Sequence, residues 1–116
     1  MLDERFPKEN RLRSQEDFSL VYREGSKEKT DFFTFYIRQK EEAPPRIGIV
    51  TPGKIGNAVK RNRAKRIIRE SFRKNKKRFD KLDVVIIVKK KAIESDDSKL
   101  SYNFLTFFKR YAQREG

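Results

Sequence analysis

The sequence contains neither cysteine nor histidine, and these two absences exclude several classes of protein. Without cysteine there is no disulfide framework, no thiolate nucleophile, and no cysteine-ligated zinc or iron–sulfur cluster. Without histidine there is no imidazole base, no Ser–His–Asp triad and no histidine ligand for a metal. Any chemistry that this chain performs must therefore rest on other side chains.

Long apolar runs are also missing. The longest uninterrupted run covers residues 84–88, whereas about 20 apolar residues are needed to span a bilayer. The first four residues, Met-Leu-Asp-Glu, are acidic and lack the basic-then-apolar pattern of a signal peptide. We therefore expect a cytoplasmic protein without a membrane partner.

The composition is dominated by positive charge. The 116 residues include 30 Lys and Arg against 17 Asp and Glu, which gives a formal net charge of +13. Hydrophobic residues make up 35% of the chain and charged residues 41%, so the core must be small, and 10 Phe and 4 Tyr supply much of it. The length predicts one domain, and the sequence pI near 10.2 predicts a polyanionic partner.

Hydrophobic periodicity predicts three helices and three strands. The helices are expected over residues 14–25, 57–77 and 99–113, and the strands over residues 32–38, 46–51 and 83–88. The second and third strands flank the long helix as a βαβ unit, so we expect them to be parallel neighbours. The first strand is expected to be antiparallel to the second. Residues 1–13 are expected to form a flexible arm.

Residues 54–78 carry most of the positive charge, with 12 Lys and Arg against one acid, Glu70. On a helix, the apolar side chains of this segment gather on one side and the basic ones on roughly the opposite third. A charge run is usually only a solvated helix face, but here pairs such as Lys65–Arg69 repel each other. The pattern therefore favours a nucleic-acid partner. RNA is favoured over DNA because an aromatic strand can stack unpaired bases, and because no helix-turn-helix, zinc or zipper pattern is present.

The segment 54–70, KIGNAVKRNRAKRIIRE, closely resembles the "RNR" signature of the bacterial ribonuclease P protein family. The resemblance continues through Arg11-Leu12, Asp17-Phe18, Val21-Tyr22 and Gly25 in the first helix, and through the strands at 46–50 and 83–88. It implies an α+β fold, an α/β sandwich with a small, mostly antiparallel sheet and helices packed on it. It also implies a left-handed βαβ crossover, a rare connection, within a single RNA-binding domain over residues 1–116.

The resemblance also implies a function. The family's protein assists a catalytic RNA that cleaves precursor tRNA and releases its 5′ leader, as a component of a tRNA-processing endoribonuclease. Hydrolysis is then expected to be carried out by the RNA, which holds the Mg²⁺ ions. On this basis we expect no catalytic residue and no metal site in the protein. The expected partners are the catalytic RNA and precursor tRNA, with no obligatory protein partner.

Site residues follow from the same resemblance. The residues expected to contact RNA are Lys54, Asn57, Lys60, Arg61, Asn62, Arg63, Lys65, Arg66, Arg69 and Arg73. Those expected to line the leader-binding cleft are Phe18, Tyr22 and Phe35, with Phe33 on the same face of the strand. Simple packing of the helix on the sheet is the alternative for Phe18 and Tyr22. Pro52-Gly53 departs from the family's pattern, in which polar or basic residues more often precede Lys54, and this puts the contacts there in doubt.

Two other functions fit parts of the sequence. A ribosomal or other structural RNA-binding protein would have the same charge and fold class, and only the 54–70 segment argues against it. A protein-only nuclease would need several carboxylates converging on Mg²⁺. The candidates are Asp80, Asp83, Asp96 and Asp97, but Asp96-Asp97 is more typical of a helix cap. A membrane-surface peptide is disfavoured because the apolar side of the basic helix is narrow.

Overall fold

The computed structural model describes residues 6–42 and 44–115, in which one four-stranded sheet carries helices on both faces. In chain order the elements are α1 Gln15–Glu24, β1 Ser26–Lys29, β2 Phe33–Gln39, β3 Arg46–Val50, α2 Ala58–Lys74, β4 Leu82–Val88, α3 Lys90–Ile93 and α4 Asp97–Glu115. Three short 3-10 turns complete the described part, at Lys8–Asn10, Gly53–Ile55 and Lys76–Phe79.

The strands are arranged in the order β1-β2-β4-β3. β3 and β4 are parallel and are joined through α2, which confirms the predicted βαβ neighbours. β2 pairs with β4 rather than with β3, so β4 separates the two strands that were expected to be adjacent. The sequence did not predict β1, because Ser-Lys-Glu-Lys is a polar stretch that becomes a strand only by pairing with β2. The handedness of the crossover stays a prediction.

Alternation along the strands divides the sheet into two faces. The face that packs against α1 carries two rows of side chains across the sheet, Lys27–Tyr36–Val85–Gly48 and Lys29–Thr34–Ile87–Val50. The opposite face carries Ser26–Ile37–Val84–Ile47 and Glu28–Phe35–Ile86–Ile49. α2 and α4 pack on this second face and form the main core with it.

Aromatic rings fill the main core. The ring centroid of Phe35 lies 5.0 Å from that of Phe108 on α4, and the centroid of Phe79 lies 4.5 Å from that of Phe108. Phe79 reaches this position because α2 ends at Lys74, earlier than predicted, and the following 3-10 turn directs the ring inward. Rings bury a large apolar area per residue, which explains how a chain so rich in charge still forms a core.

N-cap side chains begin the three long helices. Each N-cap side chain accepts a hydrogen bond from a backbone N–H three residues later: Ser14 from Asp17 at 3.0 Å, Asn57 from Lys60 at 2.9 Å, and Asp96 from Lys99 at 2.8 Å. At the other end of α1, the N–H of Gly25 donates to the carbonyl of Val21 at 2.8 Å. These local contacts satisfy backbone groups that the helix termini would otherwise leave unpaired.

The N-terminal segment differs from the expected arm where the structure describes it. Phe6 and Leu12 are buried, and the N–H of Leu12 donates to the carbonyl of Ile47 on β3 at 3.0 Å. The side-chain amide of Asn10 donates to the carbonyl of Pro45 at 2.7 Å. Residues 6–13 therefore pack along the β3 edge of the sheet and do not form a flexible arm, because they bury apolar side chains. Residues 1–5 lie outside the described residues.

Candidate nucleic-acid interface

The long helix α2 is amphipathic, as predicted. Its buried side is formed by Ala64, Ile67, Ile68, Ser71 and Phe72, which face the sheet and α4. On the other sides, Lys60, Asn62 and Arg66 are exposed, while Lys65 and Arg69 are partly buried. The helix thus presents a row of cations to solvent while its apolar side anchors it to the core, which is the geometry needed to bind a phosphate backbone.

Four of the predicted RNA-binding side chains also hold the protein's own structure. Asn57 is the N-cap of α2, as described above. The remaining three are arginines: Arg61 donates to the carbonyl of Gly56 at 3.1 Å, Arg63 contacts the carbonyl of Ser95 at 2.7 Å and the carboxylate of Asp97 at 2.9 Å, and Arg73 pairs with Glu70 at 3.1 Å. These residues position α2 against its neighbours, so their replacement affects the fold as well as any contact with RNA.

Lys54 lies on the 3-10 turn Gly53–Ile55 and is exposed. The turn is closed by a hydrogen bond from the N–H of Ile55 to the carbonyl of Pro52, at 3.2 Å. A Cβ built on Gly53 would meet no atom within 4 Å, so this position has room for a longer side chain. Compared with the polar or basic residues more often found there in the family, Pro52-Gly53 removes polar groups next to Lys54, but Lys54 itself is still exposed.

A partly exposed aromatic surface lies on the face of the sheet that packs against α1, and we call it the aromatic cleft after the predicted leader-binding cleft. We define this cleft by Phe18, Tyr22, Tyr36, Val50 and Ile87, all of which retain some exposure. The Tyr22 ring, 40% exposed, meets the Tyr36 ring edge-on with centroids 4.8 Å apart. α1 covers the row of side chains ending at Gly48 and leaves the neighbouring row, ending at Val50, partly open. The cleft therefore offers rings and apolar surface to a ligand.

The position of α1 on the sheet depends on Gly48 of β3. The Phe18 ring lies directly on Gly48, where an added Cβ would collide with Cζ and Cε1 of that ring. Phe18 therefore packs on the sheet, which was the alternative to a leader-binding role, and it also forms one side of the cleft. Tyr22, one turn later, is the more accessible ring.

The predicted placement of Phe33 and Phe35 in this cleft is wrong. Both are fully buried on the opposite face of β2, where the Phe35 ring stacks on Phe107 of α4 with centroids 4.3 Å apart. The side chain that β2 does contribute is Tyr36, with the Lys27 ammonium 5.7 Å from its ring centroid. Alternation separated Tyr36 from Phe35 correctly, but only the position of α1 decides which of the two faces the cleft.

A basic groove connects the cleft side of the molecule with α2. It has a volume of about 180 Å³ and lies between the N-terminal segment, α1, β3 and α2. Arg11, Arg13, Lys65 and Arg69 contribute positive charge to it. Two guanidinium groups lie over the Phe6 ring, that of Arg11 at 5.2 Å and that of Arg69 at 5.6 Å from its centroid. Arg11 and Arg13 were not predicted to lie near this surface, because the N-terminal segment was expected to form a flexible arm.

The electrostatics of the cleft favour a neutral tyrosine. Burial raises the pKa of the Tyr22 hydroxyl, and the neighbouring Tyr36 raises it further. Tyr22 is therefore protonated at neutral pH and its O–H can donate a hydrogen bond. A neutral ring beside Lys27 can stack on a base without repelling a nearby phosphate.

The four aspartates considered as metal ligands lie in different surroundings. Asp83 is fully buried among cations, Asp96 caps α4 and Asp97 pairs with Arg63, while Asp80 is exposed. Within residues 6–42 and 44–115, no three or more His, Cys, Asp or Glu side chains are grouped so that they could hold a metal ion.

No helix in the described part of the chain is both long enough and apolar enough to cross a bilayer.

A basic helix beside an aromatic cleft, on a mixed sheet with helices on both faces, defines an RNA-binding protein of the α+β class. Residues 6–112 match the family described as Ribonuclease P. The ribonuclease P protein component of Syntrophus aciditrophicus is 45% identical over 83 residues, which cover 71% of this chain and 70% of the relative. This chain belongs to the ribonuclease P protein family.

Solved structures agree with this assignment. The RNase P protein of Staphylococcus aureus superposes with a TM-score of 0.80 at 30% identity, over 90% of this chain and 96% of that one. The RNase P protein of Thermotoga maritima gives a TM-score of 0.76 at 35% identity, over 86% and 96% of the two chains. The predicted α+β fold is thus confirmed. The chain is a component of ribonuclease P, a tRNA-processing endoribonuclease, and its partner is the ribonuclease P RNA. A purely structural RNA-binding role is not favoured.

Proposed function

We propose that the aromatic cleft binds the single-stranded 5′ leader of precursor tRNA, while the basic side of α2 binds the ribonuclease P RNA. The observation that carries this proposal is the Tyr22–Tyr36 pair, which remains accessible beside Lys27 on a face that α1 covers only in part. Aromatic rings stack on unpaired bases whatever their sequence, and adjacent cations bind the phosphates between them. The leader is an unpaired strand of this kind.

Under this proposal the protein assists cleavage by binding the leader and needs no catalytic residue of its own. Contacts to the leader are lost when the leader is removed, so they stabilise the complex with precursor tRNA and not the complex with mature tRNA. The basic groove with Arg11 and Lys65 runs between the cleft and α2. It gives the two RNAs adjacent binding surfaces, so that the protein holds the leader next to the catalytic RNA.

The chemistry itself is assigned in this proposal to the RNA, with its Mg²⁺ ions activating water for phosphodiester hydrolysis. The ion pairs and hydrogen bonds of the aspartates support this assignment. Asp83 is bound by Arg46 and Lys40, and Asp97 by Arg63, so these carboxylates serve as structural counter-charges. The cytoplasm, where tRNA is processed in bacteria, is the proposed location.

The test is cleavage of precursor tRNA at low Mg²⁺ by the protein alone, by bacterial ribonuclease P RNA alone, and by the two together. We expect cleavage at the mature 5′ end only with both components. Metal-dependent cleavage by rigorously purified protein alone would place the chemistry in the protein. A mixture no more active than its parts would remove the processing role.

Binding of precursor and mature tRNA to the complex of protein and ribonuclease P RNA, measured with Tyr22 variants, tests the cleft. Tyr22→Ala should weaken binding of leader-bearing tRNA by about tenfold, as expected for the loss of one stacked base, and leave binding of mature tRNA unchanged. Tyr22→Phe keeps the ring and should bind the leader almost normally. Equal weakening of both tRNAs by Tyr22→Ala would indicate a folding defect and contradict leader stacking.

A further inference from the structure

A second groove lies between α2 and α4, away from the face of the sheet that carries the aromatic cleft. Its volume is about 470 Å³. The side chains that give it its chemistry are Arg66, Lys74 and Ser71 from α2, and Ser101, Tyr102 and Leu105 from α4. The groove combines an aromatic ring, hydroxyl groups and cations, and neither the family signature nor the proposed leader cleft accounts for its α4 side.

Tyr102 is the most unusual residue of the groove. It is 69% exposed, although α4 buries Leu100, Phe104 and Phe108 completely. Within the residues that the structure describes, neither its ring nor its hydroxyl has a partner. A large ring held on a rigid helix and left in water gains by stacking on another flat apolar surface.

The opposite wall supplies positive charge. Arg66 and Lys74 are exposed and lie eight residues apart on α2, about 12 Å along the helix axis. No ion pair engages either of them among residues 6–42 and 44–115. The two acids of the groove are already neutralised, since Glu70 pairs with Arg73 at 3.1 Å and Asp97 with Arg63 at 2.9 Å. The charge left unneutralised in the groove is therefore positive.

The floor of the groove is polar and ordered. The hydroxyls of Ser71 and Ser101 lie 3.0 Å apart and link the two helices by a hydrogen bond. The side-chain amide of Asn75 donates to the carbonyl of Ser71 at 2.9 Å, which fixes the orientation of this amide. Hydroxyl and amide groups of this kind can hydrogen-bond to the edge of a base that enters the groove.

We propose that this α2–α4 groove is a second binding site for single-stranded RNA, with a base stacked on Tyr102 and flanking phosphates bound by Arg66 and Lys74. The inference rests on the proposed function, since it takes the ligand to be RNA. Charge complementarity identifies a polyanion, and the exposed ring identifies one with unpaired bases, because bases inside a duplex are stacked on each other and cannot stack on a side chain. Arg66 also belongs to the basic side of α2, so the site extends that surface onto α4.

The chain contains no tryptophan, so Tyr102→Trp introduces a single fluorescent reporter at the site. The probe is a 12-nucleotide single-stranded oligouridylate, titrated into the full-length protein in a Tyr22→Ala background, which weakens the proposed leader cleft. We expect saturable quenching of the Trp fluorescence. We also expect Tyr102→Ala to weaken oligonucleotide binding about tenfold and Tyr102→Phe to preserve it.

The contribution of the cations is tested at Lys74. Lys74→Ala should weaken oligonucleotide binding and reduce the slope of log K against log salt by about 0.7, as for one lost phosphate contact on a single strand. Lys109→Ala is the matched control, because it removes the same charge from an exposed position on α4 that does not line the groove. It should change the affinity much less.

The outcomes are distinguishable. No quenching at saturating oligonucleotide, or equal quenching by a duplex of the same length, would overturn the groove as a single-strand site. Equal effects of Lys74→Ala and Lys109→Ala would reduce the binding to general charge attraction and would also overturn it. If the two-component cleavage assay succeeds while the Trp is not quenched, the groove inference fails alone. If the Trp is quenched but cleavage is not stimulated, the proposed function fails and the groove remains.

Discussion

The carboxylate of Asp83 binds three cationic side chains at one end of the sheet. The side chain is fully buried at the start of β4, and its oxygens contact Arg46 at 2.8 Å, Lys40 at 2.8 Å and Arg38 at 3.3 Å. Burial by itself raises the pKa of this carboxyl, but hydrogen bonds from Arg46 and Lys40, together with their charges, outweigh burial and hold the pKa below its ordinary value of 3.8. The contact to Asp83 in turn raises the pKa of Arg46.

This carboxylate predicts how the stability of the protein depends on acid. A carboxyl whose pKa is lower in the folded than in the unfolded state stabilises the fold above the unfolded pKa, and this stabilisation is lost as the pH falls through the folded pKa. We therefore expect the free energy of unfolding, measured by urea titration, to be level near neutral pH and to decline below about pH 4.

Asp83→Asn is the control for this dependence. It leaves buried cations without their counter-charge, so it should lower the free energy of unfolding by about 3–5 kcal/mol and flatten the decline in acid. A variant with an unchanged acid profile would show that other carboxyls, such as Asp17, produce the decline. The pKa of Asp17 is also lowered, because the backbone N–H of Arg13 and the charge of Arg46 outweigh its burial.

At the scale of elements, the position of α1 is set by the contact between Phe18 and Gly48. Gly48→Ala forces the ring or the helix to move, because the added methyl group collides with the ring. We expect a loss of about 1–3 kcal/mol in unfolding free energy, typical of overpacking, together with weaker binding of leader-bearing tRNA. Gly53→Ala adds the same methyl group into open space and should change stability by less than about 0.5 kcal/mol. Equal effects at both glycines would contradict this account of α1.

The helix α2 combines side chains that are exposed to solvent with side chains that hold the helix against its neighbours. Arg66 is exposed and has no partner in the described part of the chain, whereas Arg63 bonds Ser95 and Asp97. Arg66→Ala should weaken binding of ribonuclease P RNA and reduce its salt slope by about 0.7–0.9 without lowering the melting temperature. Arg63→Ala should lower the melting temperature as well, since it removes the hydrogen bond to Ser95, worth about 1 kcal/mol, and the ion pair with Asp97. If melting and binding measurements on both variants showed that Arg66→Ala lowers the melting temperature while Arg63→Ala affects only RNA binding, these two roles would be exchanged.

At the scale of the whole molecule, the net charge of +13 opposes folding in the absence of an anion. The like charges on α2 are close together, and a bound anion relieves their repulsion in the folded state more than in the expanded unfolded chain. Low millimolar sulfate should therefore raise the melting temperature more than chloride at equal ionic strength, because a specifically bound ligand stabilises the native state. Equal shifts with the two salts would indicate general screening only.

The local features of this protein were determined by its sequence. The helices α1 and α2 begin at the cap residues Ser14 and Asn57, within the predicted ranges, and the period of α2 separates its apolar and basic sides. The unbroken apolar run at 84–88 forms a strand buried on both faces. These features depend on residues within a few turns of each other, so a single stretch of sequence carries the whole signal. The basic, solvent-facing side of α2 could be predicted for the same reason.

Tertiary structure decided the features that depend on how helices and strands pack against each other. Alternation along β2 established that Phe35 and Tyr36 face opposite ways, but not which of them faces α1. That choice follows from the packing of Phe35 against the rings of α4, which are distant in sequence and which belong to the larger of the two hydrophobic clusters. In the same way, β4 lies between β2 and β3, and residues 6–13 cover the sheet edge, because burial of apolar area is a property of the assembled elements and not of any one segment.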